Sequence, residues 1–293
     1  MRLRLQRPSL LLLAAALAAL ATAGTAGAKS FTLPQAAVSV QVAKDGSLLV
    51  DEHLTYAFSG PFSGGYRDIP LRSGESIDRV RVSEGGRAYR PGGCTTLGCI
   101  DAAGTYGTTR VGNSLRVVWH YGAVDELRTF TVHYRMRGLA VAYDDVVDVN
   151  LKVWGSEWEQ PLDRLTATEV APGKVLKAWG HPVYVRGDVQ LLGTKVLLRA
   201  LDVPAGQFVE LRTVIPRKAF SSTAGMRVVQ GNGLAKIVAD ETADAAAFEK
   251  DQERIDNAKA HPLRYGLYLL LLGTIPGGVE SGEDGEICHP CSR

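Results

Sequence analysis

Glu52 and Arg67 are the residues of this chain whose types and placement most suggest chemistry. Glu52 falls on the apolar face of a run, Leu48 to Phe58, in which Leu48, Val50, Leu54, Tyr56 and Phe58 otherwise share that face. A carboxylate there has to be paired or protonated, because an isolated charge is costly to bury. Arg67 follows in what reads as a Gly-flanked loop, beside Asp68 and the rigid Ile69-Pro70. The favoured reading is a buried ion pair that pins the loop to the sheet. The functional reading is an arginine that grips a ligand. Trp154, Trp158 and Trp179 offer a second kind of chemistry, a stacking face for sugar rings. Tryptophan is also a common filler of β-sandwich cores, and core packing is the favoured reading, with Gly155 allowing a bulge in the Trp-Gly-x-x-Trp segment.

Other reactive types are scattered. Cys94 and Cys99 bracket Thr-Thr-Leu-Gly and can close a small disulfide loop outside the cytoplasm. Cys288-His289-Pro290-Cys291 has redox or metal spacing but stands in a Gly/Glu tail without the βαβ context a redox pair needs. His120 and His133 read as lying on neighbouring strands, where a polar cross-strand pair outweighs a metal site. Asp144, Asp145 and Asp148 suit calcium by type, and a solvated loop is the preferred reading. The chain contains no G-x-S-x-G elbow, S-x-x-K, H-E-x-x-H or P-loop. No catalytic residue, cofactor or metal is therefore expected. An enzyme acting through Glu157, Glu159 and Asp163 is the alternative.

Period-two alternation supplies the elements that must hold these residues. It predicts strands at Val38–Val42, Leu48–Phe58, Ile77–Val82, Arg87–Arg90, Leu115–Tyr121, Leu127–Met136, Val147–Val153, Leu165–Val170, Val183–Arg186, Val196–Leu201 and Phe208–Ile215. Asp45-Gly46 joins the first two as a hairpin turn. No helix is expected between Phe31 and Lys218. Ala239 to Ala260 is rich in Ala, Glu, Asp and Lys and reads as a solvated connector helix ended by His261-Pro262.

Both ends carry targeting signals. Arg2, Arg4 and Arg7, the apolar run Leu10–Leu20 and the Ala26-Gly27-Ala28 cleavage site form a secretory signal peptide. Tyr265 to Ile275 begins like a membrane span but stops at about half the required length. The 293 residues are 45% hydrophobic and 22% charged, globular proportions that exclude wholesale disorder, a collagen-like fibre and a polytopic membrane protein. After cleavage 30 basic residues face 31 acidic ones, which leaves no footprint for a nucleic-acid partner.

Three segments carry a family resemblance: Asp45-Gly46-Ser47-Leu48-Leu49-Val50-Asp51-Glu52, Tyr56-Ala-Phe-Ser-Gly-Pro-Phe-Ser-Gly-Gly-Tyr-Arg-Asp-Ile-Pro-Leu71, and Val153-Trp-Gly-Ser-Glu-Trp-Glu-Gln-Pro-Leu162. Together these resemble the bacterial predicted membrane proteins grouped as domain of unknown function 2207, over roughly residues 31 to 276. The resemblance implies an extracytoplasmic β-rich domain behind a signal peptide, followed by a transmembrane segment and a cytoplasmic part. It implies no activity. The chain departs from that pattern beyond Pro276, so a truncated form of a membrane-anchored protein is expected.

The expected fold is all-β, an antiparallel immunoglobulin-like β-sandwich, one large or two packed, followed by a C-terminal helix and a partial span. The expected organisation is a signal peptide at 1–28, a sandwich at 29–220, a linker and charged helix at 221–262, a truncated span at 263–276 and a disordered tail at 277–293. The expected function is non-enzymatic binding or scaffolding in the cell envelope, with the membrane and an envelope protein or polysaccharide as partners. An extracytoplasmic sensor is a further alternative. Glu52, Arg67, Asp68, Trp154 and Trp158 are the candidate ligand or structural residues, and Cys94 with Cys99 the candidate disulfide.

Overall fold

The computed structural model describes residues 29–261. The expected signal peptide at 1–28, the expected truncated span at 263–276 and the segment with Cys288 and Cys291 lie outside the described residues. Residues 29–237 form one compact unit and residues 238–261 belong to a second.

In chain order the first unit runs β1 (Ser30–Val42), β2 (Leu48–Ser59), β3 (Pro61–Pro70), β4 (Ser76–Glu84), β5 (Arg87–Ala88), β6 (Arg90–Pro91), β7 (Thr105–Val111), β8 (Ser114–Val124) and β9 (Leu127–Arg137). It continues with β10 (Val141–Ala142), β11 (Val146–Trp154), β12 (Leu162–Val170), β13 (Lys177–His181), β14 (Gly187–Leu192), β15 (Lys195–Val203), β16 (Val209–Pro216) and β17 (Arg227–Val228). A 3-10 turn at Arg217–Ala219 and the helix α1 (Leu234–Ala260) complete the described chain. The described residues are mostly β, with 55% of them in strands.

The largest sheet has eight strands in the order β14-β15-β12-β1-β2-β9-β4-β5. Its register defines one inner face. Val38 of β1 stands opposite Glu52 of β2 and Ala167 of β12, and Ala167 stands opposite Leu198 of β15. Residues directly opposite share a face, and these four are buried. Two smaller sheets cover that face, β3-β8-β7-β6 and β13-β16-β11-β10-β17. Trp119 of β8 packs its ring 6.5 Å from Tyr56 and 5.7 Å from Phe130. Thr213 of β16 donates to Glu169 of β12 at 2.6 Å. The core between the layers is rich in Val and Leu, with aromatic rings gathered at one end.

The sheets are mixed where antiparallel pairing alone was expected. β1 runs parallel to β12, β6 to β7 and β10 to β17. Parallel pairing joins strands far apart in sequence, which no local pattern announces. The expected alternation holds in β2, where the residues from Leu48 to Phe58 are buried at every second position, Glu52 included, whereas β11 is buried at four successive positions from Val146 to Val149. Gly46 supplies the positive φ of the β1–β2 turn at +79°, and the Asp45 carboxylate accepts from the Ser47 amide and hydroxyl.

Three local expectations are corrected. Pro61–Pro70 is a strand and not a loop, so Arg67 sits in the ladder opposite Val117 of β8. Its Gly and Pro content hides it, yet those residues serve the packing. A Cβ on Gly65 would lie 3.0 Å from the Trp119 ring, so the small residue lets β3 approach that indole closely. Val183–Arg186 is a turn between β13 and β14. The helix begins at Leu234, five residues early, because Asp145 accepts from the Gly233 and Leu234 amides at 2.7 and 3.2 Å and Ile237 is buried with Val146 and Val214. Among the described residues no helix is long and apolar enough to cross a membrane.

Candidate functional site

The structure brings Glu52, Arg67, Asp68, Trp154 and Trp158 into one place. β2 presents Glu52 inward, and β3 presents Arg67 from the facing layer. Arg67 Nε donates to Glu52 Oε2 at 2.9 Å and Nη2 to Oε1 at 3.4 Å, with both side chains 4% exposed. The Tyr134 hydroxyl donates to Glu52 Oε1 at 2.8 Å, and Arg67 Nη1 donates to the Asp68 carbonyl at 2.5 Å. Burial opposes the Arg67 charge, and the Glu52 carboxylate more than offsets it, so the guanidinium is held above its ordinary pKa. Burial, then the neighbouring Glu52 charge, pushes the Tyr134 phenol well above its ordinary value. The carboxylate is thus held by a cation and a neutral donor, the arrangement that makes a buried charge tolerable.

The Trp-Gly-x-x-Trp segment closes over this pair. The register shift of β11 against β16 falls between Lys152 and Trp154, ahead of Gly155 where the bulge was expected. Trp154 and Trp158 then stack with centroids 4.5 Å apart and planes 5° from parallel. The Arg67 guanidinium lies 5.4 Å from the Trp158 ring centre, and Glu157 Oε2 lies 3.7 Å from Arg67 Nη1. Asp68 points the other way along β3 and takes two bonds from Arg116, at 2.7 and 2.6 Å. Arg116 in turn covers the Tyr66 ring at 4.9 Å.

Beside the pair opens a cleft of about 310 Å³. Rings of Phe31, Tyr56, Phe58, Phe62, Tyr66, Tyr121 and Trp158 wall it, and Lys29, Arg67, Asp68, Glu157, Glu159 and Gln160 supply its polar groups. That size and mixture suit a small ligand or a side chain. Tyr56 and Phe58 stack at 5.5 Å, and Phe58 meets Phe62 at 4.8 Å.

Other candidates go elsewhere. Trp179 is separate from the other two tryptophans and packs beside Val146, Val214 and Ile237. His120 and His133 do not meet, because the chain changes layers between β8 and β9. His133 Nδ1 lies 2.5 Å from Asp51 Oδ1, while His120 is buried with Nε2 3.0 Å from the Cys94 carbonyl. Cys94 and Cys99 are joined as a disulfide, Cα atoms 6.5 Å apart. Their sulfurs and the His120 ring form a group with metal-ligating types, but the two sulfurs are bonded to each other. The Asp cluster divides three ways: Asp144 accepts from the Gly231 amide, Asp145 caps α1, and Asp148 pairs with Arg212 at 3.0 and 2.7 Å. Asp163 is exposed on β12 and does not line the cleft.

Sequence reasoning missed Tyr134, Lys29 and the ring set as one site. Tyr134 carried a signal, since a phenol on an apolar strand face needs a hydrogen-bond partner. Lys29 carried none.

The fold and site define a two-layer β module with an aromatic cleft over a buried ion pair. The chain belongs to the DUF2207 family: the model of its predicted membrane protein N-terminal domain matches residues 32–215. No curated protein matches. Among solved structures, a nutrient binding protein of Legionella pneumophila is 8% identical with a TM-score of 0.43, covering 62% of this chain and 66% of that one. An M1 zinc metallopeptidase of Deinococcus radiodurans is 11% identical with a TM-score of 0.37, covering 62% and 42%. The chain thus spans less than half of that peptidase.

Proposed function

We propose that this protein is an exported, non-enzymatic binding module of the cell envelope, an immunoglobulin-like sandwich tethered to the membrane through its C-terminal helix. The aromatic cleft carries this reading. The ion pair beneath it is committed to structure, and the rings offer a preformed apolar surface, as binding sites do. The family description as a membrane protein supports the tether, and the signal peptide read in the sequence supports export. Placement supports it further. The chain enters α1 where Asp145 precedes β11, and the cleft lies where β11 ends at the Trp segment. The strand's nine residues separate the two points by about 26 Å at about 3.3 Å per residue. A tethered module would therefore hold its cleft away from the attachment point.

Calorimetric titration of the full chain with soluble envelope glycan and peptide fragments tests the binding reading. Saturable heat that Gln160→Trp abolishes supports it, and identical titrations of the two proteins refute it. Fractionation with a carbonate wash tests the tether: release of the protein from the membranes counts against it. One observation favours hydrolysis of an envelope polymer instead. Glu157 and Glu159 line the same cleft, and such chemistry uses two carboxylates. Release of reducing ends by the full chain, abolished in Glu157→Gln and in Glu159→Gln, would replace the binding reading.

A further inference from the structure

The charges around the cleft do not cancel, and the imbalance points to the kind of ligand. Arg67 is matched by Glu52, and Asp68 is matched by Arg116. Glu157 approaches only Arg67, whose charge is already met, and no cation pairs with Glu159 among the described residues. Two unmatched carboxylates thus border a cleft walled by seven aromatic rings. Ring faces are electron-rich and attract cations, most strongly where water is partly excluded. A cation already sits there: Lys29 Nζ lies 5.2 Å from the centre of the Phe62 ring. Lys29 is exposed and immediately precedes β1, held to the sheet only from Ser30 onward, where Ser30 stands opposite Ser59.

We propose that the cleft recognises an alkylammonium group, a positively charged nitrogen on a short aliphatic stem, and that Lys29 is its tethered competitor. The proposal rests on the binding reading and adds the chemistry of the ligand. Rings would enclose the carbon shell of the ammonium while Glu157 and Glu159 supply the countercharge. A volume of about 310 Å³ admits a lysine-like or trimethylammonium head with its stem. A phosphate or carboxylate ligand would meet two glutamates and is disfavoured.

The test uses two probes of one shape, choline and its neutral isostere 3,3-dimethylbutan-1-ol, titrated into the full chain by calorimetry. Choline is expected to bind about tenfold more tightly than the alcohol, the scale of a partly desolvated cation–π contact. Glu157→Gln and Glu159→Gln, both at exposed positions, should each weaken choline several-fold and leave the alcohol unchanged. Lys29→Met should tighten choline several-fold by removing the resident cation. Equal affinity for the two probes would overturn the proposal and leave the binding reading standing. No binding of either probe, in wild type and Lys29→Met alike, would also overturn the proposal, and the binding reading is refuted separately by its glycan and peptide titrations.

Discussion

Replacing Arg67 by Met strips Glu52 of its cation and leaves one hydrogen bond, from Tyr134, to a carboxylate whose side chain is 4% exposed. Breaking a buried pair in this way costs about 3–5 kcal/mol, because the remaining charge cannot be solvated. Glu52→Met strands the guanidinium instead, with Glu157 at 3.7 Å, the Asp68 carbonyl and the Trp158 ring at 5.4 Å as its remaining contacts, and a loss of the same order is expected. The double variant Glu52→Met/Arg67→Met removes both charges and keeps their volume. Its residual cost is the Tyr134 hydroxyl left without an acceptor, about 1–3 kcal/mol, set against the desolvation that two apolar groups no longer incur. The double variant should therefore be more stable than either single one, with a coupling of at least about 3 kcal/mol. Against a total stability of about 5–15 kcal/mol, each single change removes roughly a fifth or more. Denaturant unfolding of the full chain measures all four corners, provided the slope stays constant. Arg186→Met is the control: its pair with Asp202 is 75% and 69% exposed, so a change of at most about 1 kcal/mol is expected. Single variants within about 1 kcal/mol of wild type would refute the reasoning, since the pair would then not be holding the two layers together.

Burial raises the Glu169 carboxyl from 4.5 to about 7, partly opposed by the Thr213 hydroxyl. The folded chain then holds this proton more tightly than the unfolded one, so its contribution is fully present below about pH 4.5 and is lost as pH rises toward 7. Between pH 5 and 8 wild type should lose about 2–3 kcal/mol more than Glu169→Gln; parallel pH curves would show the carboxyl to be unperturbed. Gly65→Ala forces a methyl to 3.0 Å from the Trp119 ring and should cost about 1–3 kcal/mol in thermal unfolding; an unchanged midpoint would mean that β3 can lift away freely. Cys94→Ser/Cys99→Ser opens a short loop and should cost at most about 2 kcal/mol, so a far larger loss would show that the bridge holds more than its own loop. Asp145→Ala removes two acceptor contacts at the start of α1 and should lower stability by about 1–2 kcal/mol; unchanged unfolding would show that the helix start depends on Ile237 burial instead.

The sequence by itself determined which runs are strands and which face each buries. β2 shows why: alternate Leu48, Val50, Leu54, Tyr56 and Phe58 cannot all reach a core unless the chain is extended, and Glu52 among them demands a partner. It also marked that partner, since Arg67 is the nearby cation in the Gly-flanked segment that follows, beside the rigid Ile69-Pro70. It misread the segment itself, because Gly and Pro disfavour strands locally and only the Trp119 ring beneath β3 makes small residues an advantage. Tertiary structure alone decided which strands share a sheet. Leu33 and Leu162 are 129 positions apart and lie side by side in parallel register, and β8 parts from β9 into the opposite layer, separating His120 from His133. Those choices depend on the summed burial of whole faces, which no window of sequence contains. The cleft belongs to the same class of fact. Its rings come from β1, β2, β3 and β8 and from the segment after β11, and they become one site only when the two layers close.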